Sequence, residues 1–248
     1  MRWTDRRRPE PSPPWHDAWA STSARWDHLD KAEIDRLRDQ AWELTSRCRW
    51  EGLDGLDVTP EMQGVIATEG SLLSVNIGSS IFRDVTSILI APTTQNRVTR
   101  HRVGGMVVSE SSACVLGESL LHGPVRLAWD QVVADRSRQS SVVIHEFAHK
   151  FDMADGYVDG EPPLPGIEEA RVFDEVIGAS RAALAGSSDF EPLSEYALTN
   201  RAEFFACASE AFFLRSERLR RRFADLYSTL CDVYRQDPAS AGRAPERS

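Results

Sequence analysis

From Lys31 to Arg47, apolar residues return every three or four positions, at Ile34, Leu37, Ala41 and Leu44, with Cys48 next in the row. That period puts them on one stripe and predicts an amphipathic helix. The segment GLDVTPEMQGVIATEG contains a second, short helix: Thr59 suits the N-cap, and Pro60 suits the first helical position, where a missing N–H costs nothing. From about Leu72 to Val133 the pattern changes. SLLSVNIG, VTSILIAP, VTRHRVGGMVVSES and GPVRLAWDQVV are β-branched runs broken by Gly, Pro, Asn and Ser. They predict roughly three to five strands of a small sheet. Ser140 to Met153 reads as a helix whose end Gly156 marks. The Pro-rich loop GEPPLPG leads to a helix from about Glu168 to Leu184, and two more run from Asn200 to Leu214 and from Ser216 to Tyr234. Helices, then sheet, then helices favour an α+β fold over a doubly wound one.

Residues 1–22, rich in Pro, Arg and Ser, are expected to form a disordered arm, with Trp15 and Trp19 as its anchors. Residues 23–238 are expected to form one domain, and 239–248 a flexible tail. The 248 residues are 41% hydrophobic, enough apolar surface for a sizeable core. No run approaches the roughly 20 apolar residues of a membrane span. The opening MRWTDRRRPEPSPPWHD has no apolar segment of the secretory kind, so neither a membrane protein nor a secreted one is expected.

A net charge of -9 argues against direct nucleic-acid binding. Arg6 to Arg8 and Arg218, Arg220, Arg221 and Arg222 read as part of the arm and as a solvated helix face. Cys48, Cys114, Cys207 and Cys231 are scattered and show no CxxC spacing. They read as reduced thiols in a cytoplasmic protein, and as poor candidates for a zinc site.

The stretch VVIHEFAHKFDMADG carries the chemistry. His145 and His149 are four apart, so on a helix both imidazoles reach a single ion. Glu146, beside the first His, can take a proton from water that the ion has acidified. The bland alternative is two His on a surface helix. Val142, Val143 and Ile144 weaken it, because an apolar helix that also buries two His and a Glu is costly unless they coordinate something.

Zinc needs a third protein ligand and an open position. Asp152 lies on the same face as His149 but about a turn beyond the metal, and its expected task is to orient His149 through the other ring nitrogen. Glu203 and Glu210 lie seven apart in NRAEFFACASEAFF, on one face of a strongly apolar helix. Glu203 also fits a capping box with Asn200. A carboxylate arriving from a second helix completes many such sites, so Glu203 leads. Tyr196, just before this helix, reads by itself as an aromatic at the core edge. His16, His28, His101 and His122 have no partners at ligand spacing and read as ordinary surface residues.

HEFAHKFDMADG followed by EYALTNRAEFFACASEAFF resembles the MtfA (Mlc titration factor A) family of zinc peptidases. GLDVTPEMQGVIA, LLSVNIGSSIFRDVTSILIAP and LGESLLHGPVRLAWDQV occur upstream in the expected order, so the likeness spans roughly Trp26 to Pro238. The downstream pattern Y-x-x-x-x-x-x-E-F-F-A is also similar to the catalytic domain of the anthrax lethal factor. The resemblance implies a zincin-like arrangement, with a small mixed sheet packed on the HExxH helix and a largely helical C-terminal part. It implies one zinc per chain, with Glu203 as third ligand and Tyr196 as the oxyanion partner. It further implies aminopeptidase-type activity on small peptides, and binding of a transcriptional repressor by the family's namesake. The rival function is therefore a regulator that sequesters such a repressor. The base Glu146 speaks against a vestigial site, since a purely structural zinc needs a closed shell and no base.

Overall fold

The computed structural model describes residues 25–93, 101–103, 106–108, 123–135 and 139–240. The expected arm, with Trp15 and Trp19, lies outside the described residues, as do His16, Cys114, His122 and the end of the tail.

Helix α1 (Lys31–Arg47) begins with a full capping box: Asp30 accepts from the Glu33 N–H, and Glu33 accepts from the Asp30 N–H, both at 2.8 Å. A good N-cap of this kind contributes about 1 kcal/mol. Its buried stripe is Leu37, Ala41 and Leu44, as the periodicity predicts. Strand β1 (Arg49–Gly52) follows at once. Helix α2 (Pro60–Leu72) starts as expected, with the Thr59 hydroxyl accepting from the Met62 N–H. It is longer than expected, because nearly every residue from Met62 onward is buried. SLLSVNIG is accordingly no strand: Ser71 and Leu72 finish α2, and the Ser74 carbonyl takes the N–H groups of Ile77 and Gly78 in a turn. A helix buried all round reads as a continuous apolar run, which periodicity alone cannot tell from a strand.

Strands β2 (Ser87–Ala91) and β5 (Val125–Ala128) join β1 in a sheet of order β1-β2-β5. Both pairings are parallel, Trp50 opposite Ile88 and Ile90 opposite Leu127. The separate pair β3 (His101–Val103) and β4 (Met106–Val108) is antiparallel. The expected mixed sheet is thus a small parallel sheet plus a detached two-stranded ribbon. The missed element is β1: four half-exposed residues carry little strand signal, and its pairing with β2 spans a whole crossover helix. In GPVRLAWDQVV only Val125–Ala128 is strand, and Trp129–Asp135 turns into helix α3.

Helix α4 (Val142–Asp152) is clamped at its N-terminus. The Ser141 hydroxyl accepts from Ile144 N–H at 3.1 Å, and Asp135 accepts from Val142 N–H at 2.8 Å. Ser141 also donates to Glu69, which pairs with Arg25 at 2.8 Å in a buried setting. Breaking such a pair from one side typically costs about 3–5 kcal/mol. The close approach of α2 to α4 requires Gly70, where a Cβ would stand 2.7 Å from the Phe147 ring. A 3-10 turn, Met153–Asp155, extends the end of α4, and Gly156 closes it in the left-handed region, φ 101°, which favours glycine.

Helices α5 (Ile167–Ala185), α6 (Arg201–Leu214), α7 (Ser216–Arg222) and α8 (Ala224–Tyr234) complete the chain. The single helix expected from Ser216 to Tyr234 breaks at Phe223 (φ -130°, ψ 68°). The break turns the Phe223 ring into the core, while Arg222 reaches Asp189 and the Glu191 carbonyl. Arg218 and Arg220 pair with Glu191 and Glu217, which agrees with a solvated face rather than an anion-binding one. His28 departs from expectation: it is half-buried and bonded to Gln236 at 3.1 Å. Phe151, Phe205, Phe212 and Tyr234 pack together with ring centroids 5.5 to 6.4 Å apart, and this aromatic core fixes α4 against α6 and α8. Among the described residues no helix is long and apolar enough to cross a membrane.

Candidate metal centre

Helix α4 sends Val143, Ile144, Phe147, Ala148 and Phe151 into the core, so its other face must carry His145 and His149. The two rings meet edge to face, centroids 4.9 Å apart. Helix α6 crosses that face. Asn200 caps it by accepting from the Glu203 N–H at 2.8 Å, as the capping-box pattern predicts. The reciprocal half of the box is not made, because the Glu203 carboxylate turns to the histidines instead. Its Oε2 lies 3.0 Å from His145 Nε2 and 3.4 Å from His149 Nε2. These donor atoms lie within 4.8 Å of one another and could hold a metal ion. Two imidazole nitrogens and one carboxylate oxygen are a donor set that suits zinc.

The electrostatics agree with the geometry. Burial pulls His145 down, but the Cys207 sulfur and the Glu203 carboxylate outweigh it and push the imidazole up to about 10. Burial opposes ionisation of Glu203 as well, yet the two histidines hold its carboxyl well below the usual carboxylate range.

Glu146 is half-buried beside His145, and its charge acts on both His145 and Lys150. Lys150 is itself lowered by burial and donates to the Gly123 carbonyl at 2.8 Å, at the start of β5. Tyr196 lies in a 3-10 turn, Glu195–Leu198, packed on α6. The residue is 46% exposed, with its ring centroid 6.2 Å from that of His145.

The other carboxylates take places that differ from expectation. Asp152 makes no close hydrogen bond to His149. It is fully buried, and the Gly160 and Glu161 N–H groups face it without bonding closely. Three residues past His149, nearly a full turn farther along the helix, it lies by Asp159, Gly160 and Glu161 of the loop after α4. Burial pushes it up to about 7, aided by the charge of Asp159. The folded state thus keeps a proton that the unfolded chain releases above its ordinary value of 3.8. The resulting stability is fully present below that value and is lost as pH rises through about 7. Asp152→Asn is expected to remove this slope, on the order of a few kcal/mol. Urea midpoints of metal-free protein between pH 4 and 8 test it, and parallel curves for variant and wild type would refute the reading.

Glu210 faces the second ring nitrogen of His145, with Oε2 3.8 Å from Nδ1. Cys207, a scattered thiol by sequence spacing, acts on the His145 imidazole and helps to raise it. The signal was present: Glu203, Cys207 and Glu210 stand at positions i, i+4 and i+7 of one helix, hence on one face.

A family described as glucose-regulated metallo-peptidase M90 matches residues 1–235. Mlc titration factor A of Yersinia pestis (strain Pestoides F) is 29% identical over 227 residues, 89% of this chain and 84% of that protein. The protein of the same name from Yersinia pseudotuberculosis serotype O:1b gives the same figures. With the match running over nearly the whole chain and across the His145, His149 and Glu203 cluster, this protein belongs to the glucose-regulated metallo-peptidase M90 family.

Proposed function

We propose that the protein is a zinc-dependent peptidase of zincin-like architecture, with His145, His149 and Glu203 holding one ion. The observation that carries this reading is the convergence of His145 Nε2, His149 Nε2 and Glu203 Oε2 from two helices. When bound, the ion polarises the scissile carbonyl and lowers the pKa of water to about 7. Glu146 takes the proton of the attacking water and returns it to the leaving amine. Tyr196, beside His145 and open to solvent, donates a hydrogen bond to the oxyanion that develops. On this reading residues 23–238 form one catalytic unit that acts in the cytoplasm on small peptides, in aminopeptidase fashion.

Metal analysis of protein purified without added metal tests the centre. Wild type is expected to carry zinc close to one per chain, and Glu203→Ala to lose it while Asp152→Asn keeps it. A wild-type ratio near zero that added zinc does not restore would sink the proposal.

A second reading rests on the name of the relatives, titration factor for Mlc. A protein of that name suggests that this chain also sequesters a transcriptional repressor. The two roles are compatible, because partner binding needs surface and catalysis needs the cleft.

A further inference from the structure

His145 presents its two ring nitrogens to two different carboxylates. Nε2 faces Glu203 at 3.0 Å, where the three donors converge. Nδ1 faces Glu210 Oε2 at 3.8 Å, an ion-pair distance rather than a hydrogen bond. Glu210 is held in place on its other side. Its Oε1 accepts from Arg215 at 3.2 Å, and the Ser141 backbone N–H also points to it. Both side chains are only 15% exposed, so water screens the arrangement weakly. Arg215 is the residue after the last turn of α6, and Ser141 caps α4. Glu210 therefore joins the far end of the helix that carries Glu203 to the first turn of the helix that carries both histidines.

We propose that Glu210, backed by Arg215, is a positioning residue for the metal centre: it fixes the His145 tautomer and ring orientation. An imidazole that offers its Nε2 lone pair to a cation must carry its proton on Nδ1. A fixed carboxylate beside Nδ1 favours that tautomer over the reverse one, whose Nδ1 lone pair would face a negative charge. It also stops the ring from flipping about its χ2 axis. The same carboxylate adds basicity to the ligand nitrogen. Asp152, the candidate for such a role on sequence grounds, is turned away from the histidines.

This inference rests on the zinc reading above, and the experiment separates the two. Zinc affinity is measured by chelator competition for wild type, Glu210→Ala and Glu210→Gln, each checked for folding by circular dichroism. Loss of the carboxylate in Glu210→Ala is expected to weaken zinc binding about 10- to 100-fold. Glu210→Gln keeps an accepting oxygen without the charge and is expected to lose less, on the order of 3- to 10-fold. A packing defect alone would not change the imidazole protonation pattern, so nitrogen-15 spectra of the zinc-loaded proteins supply a second readout. Wild type is expected to show a slowly exchanging His145 Nδ1 proton that Glu210→Ala loses. Should Glu210→Ala fail to fold, Glu210→Gln decides by the same affinity measurement. Variants that fold, bind zinc within twofold of wild type and keep the Nδ1 proton overturn the role of Glu210 and leave the zinc centre standing. Wild type that takes up no zinc overturns both.

Discussion

Glu146→Gln is expected to keep its metal and to hydrolyse peptides about 100- to 10,000-fold more slowly than wild type, the usual loss when a general base is removed. The substitution preserves the side chain's length and its place on α4, next to His145 but outside the converging donors. It removes the one property that proton abstraction requires, a basic oxygen. The flanking core contacts of Ile144 and Phe147 are unaffected, so the melting temperature should stay near that of wild type. Single-turnover hydrolysis alongside metal content measures both halves of the claim. Near wild-type turnover in a metal-replete Glu146→Gln protein would assign the proton transfer to another group.

Tyr196→Phe is expected to lower kcat about 100- to 1,000-fold with KM nearly unchanged, the cost of losing one oxyanion donor. The phenol lies beside His145, yet 46% of the residue is in solvent. A hydroxyl so placed can reach charge that develops on a substrate in the cleft, an interaction realised mainly in the transition state. Phe retains the ring's packing on the 3-10 turn, so zinc content and unfolding midpoint should match wild type. Unchanged kcat would leave Tyr196 as a partly exposed aromatic at the edge of the core. On the proposed mechanism the two variants separate cleanly: Glu146 would serve the nucleophile, and Tyr196 the carbonyl oxygen.

What the sequence by itself determined is the local geometry. Capping at Asp30, Thr59, Ser141 and Asn200, and the stop at Gly156, are decided within three or four residues of chain. So is the placement of His145 and His149 on one face, because a four-residue step along a helix returns to the same side. The candidate third donors, Asp152, Glu203 and Glu210, were legible as a set with Glu203 in the lead, but their distances to the histidines were not. Only the tertiary structure brings one of them to the histidines, by laying α6 across α4 so that Glu203, 58 positions away, meets His145. The same crossing placed Glu210 beside the His145 ring, whereas Asp152, nearly a turn beyond His149, lies by the loop after α4.

The parallel order β1-β2-β5 was equally beyond local reading, since strand pairing is a contact between distant segments and the RWEG strand has almost no pattern of its own. SLLSVNIG was misread because complete burial erases the helical period. The chain breaks at Phe223 because the core accepts that ring there, a matter of packing that no helix propensity contains. Periodicity and capping are written into neighbouring residues, whereas the cluster of His145, His149 and Glu203 exists only where two helices are pressed together by an aromatic core neither could form alone.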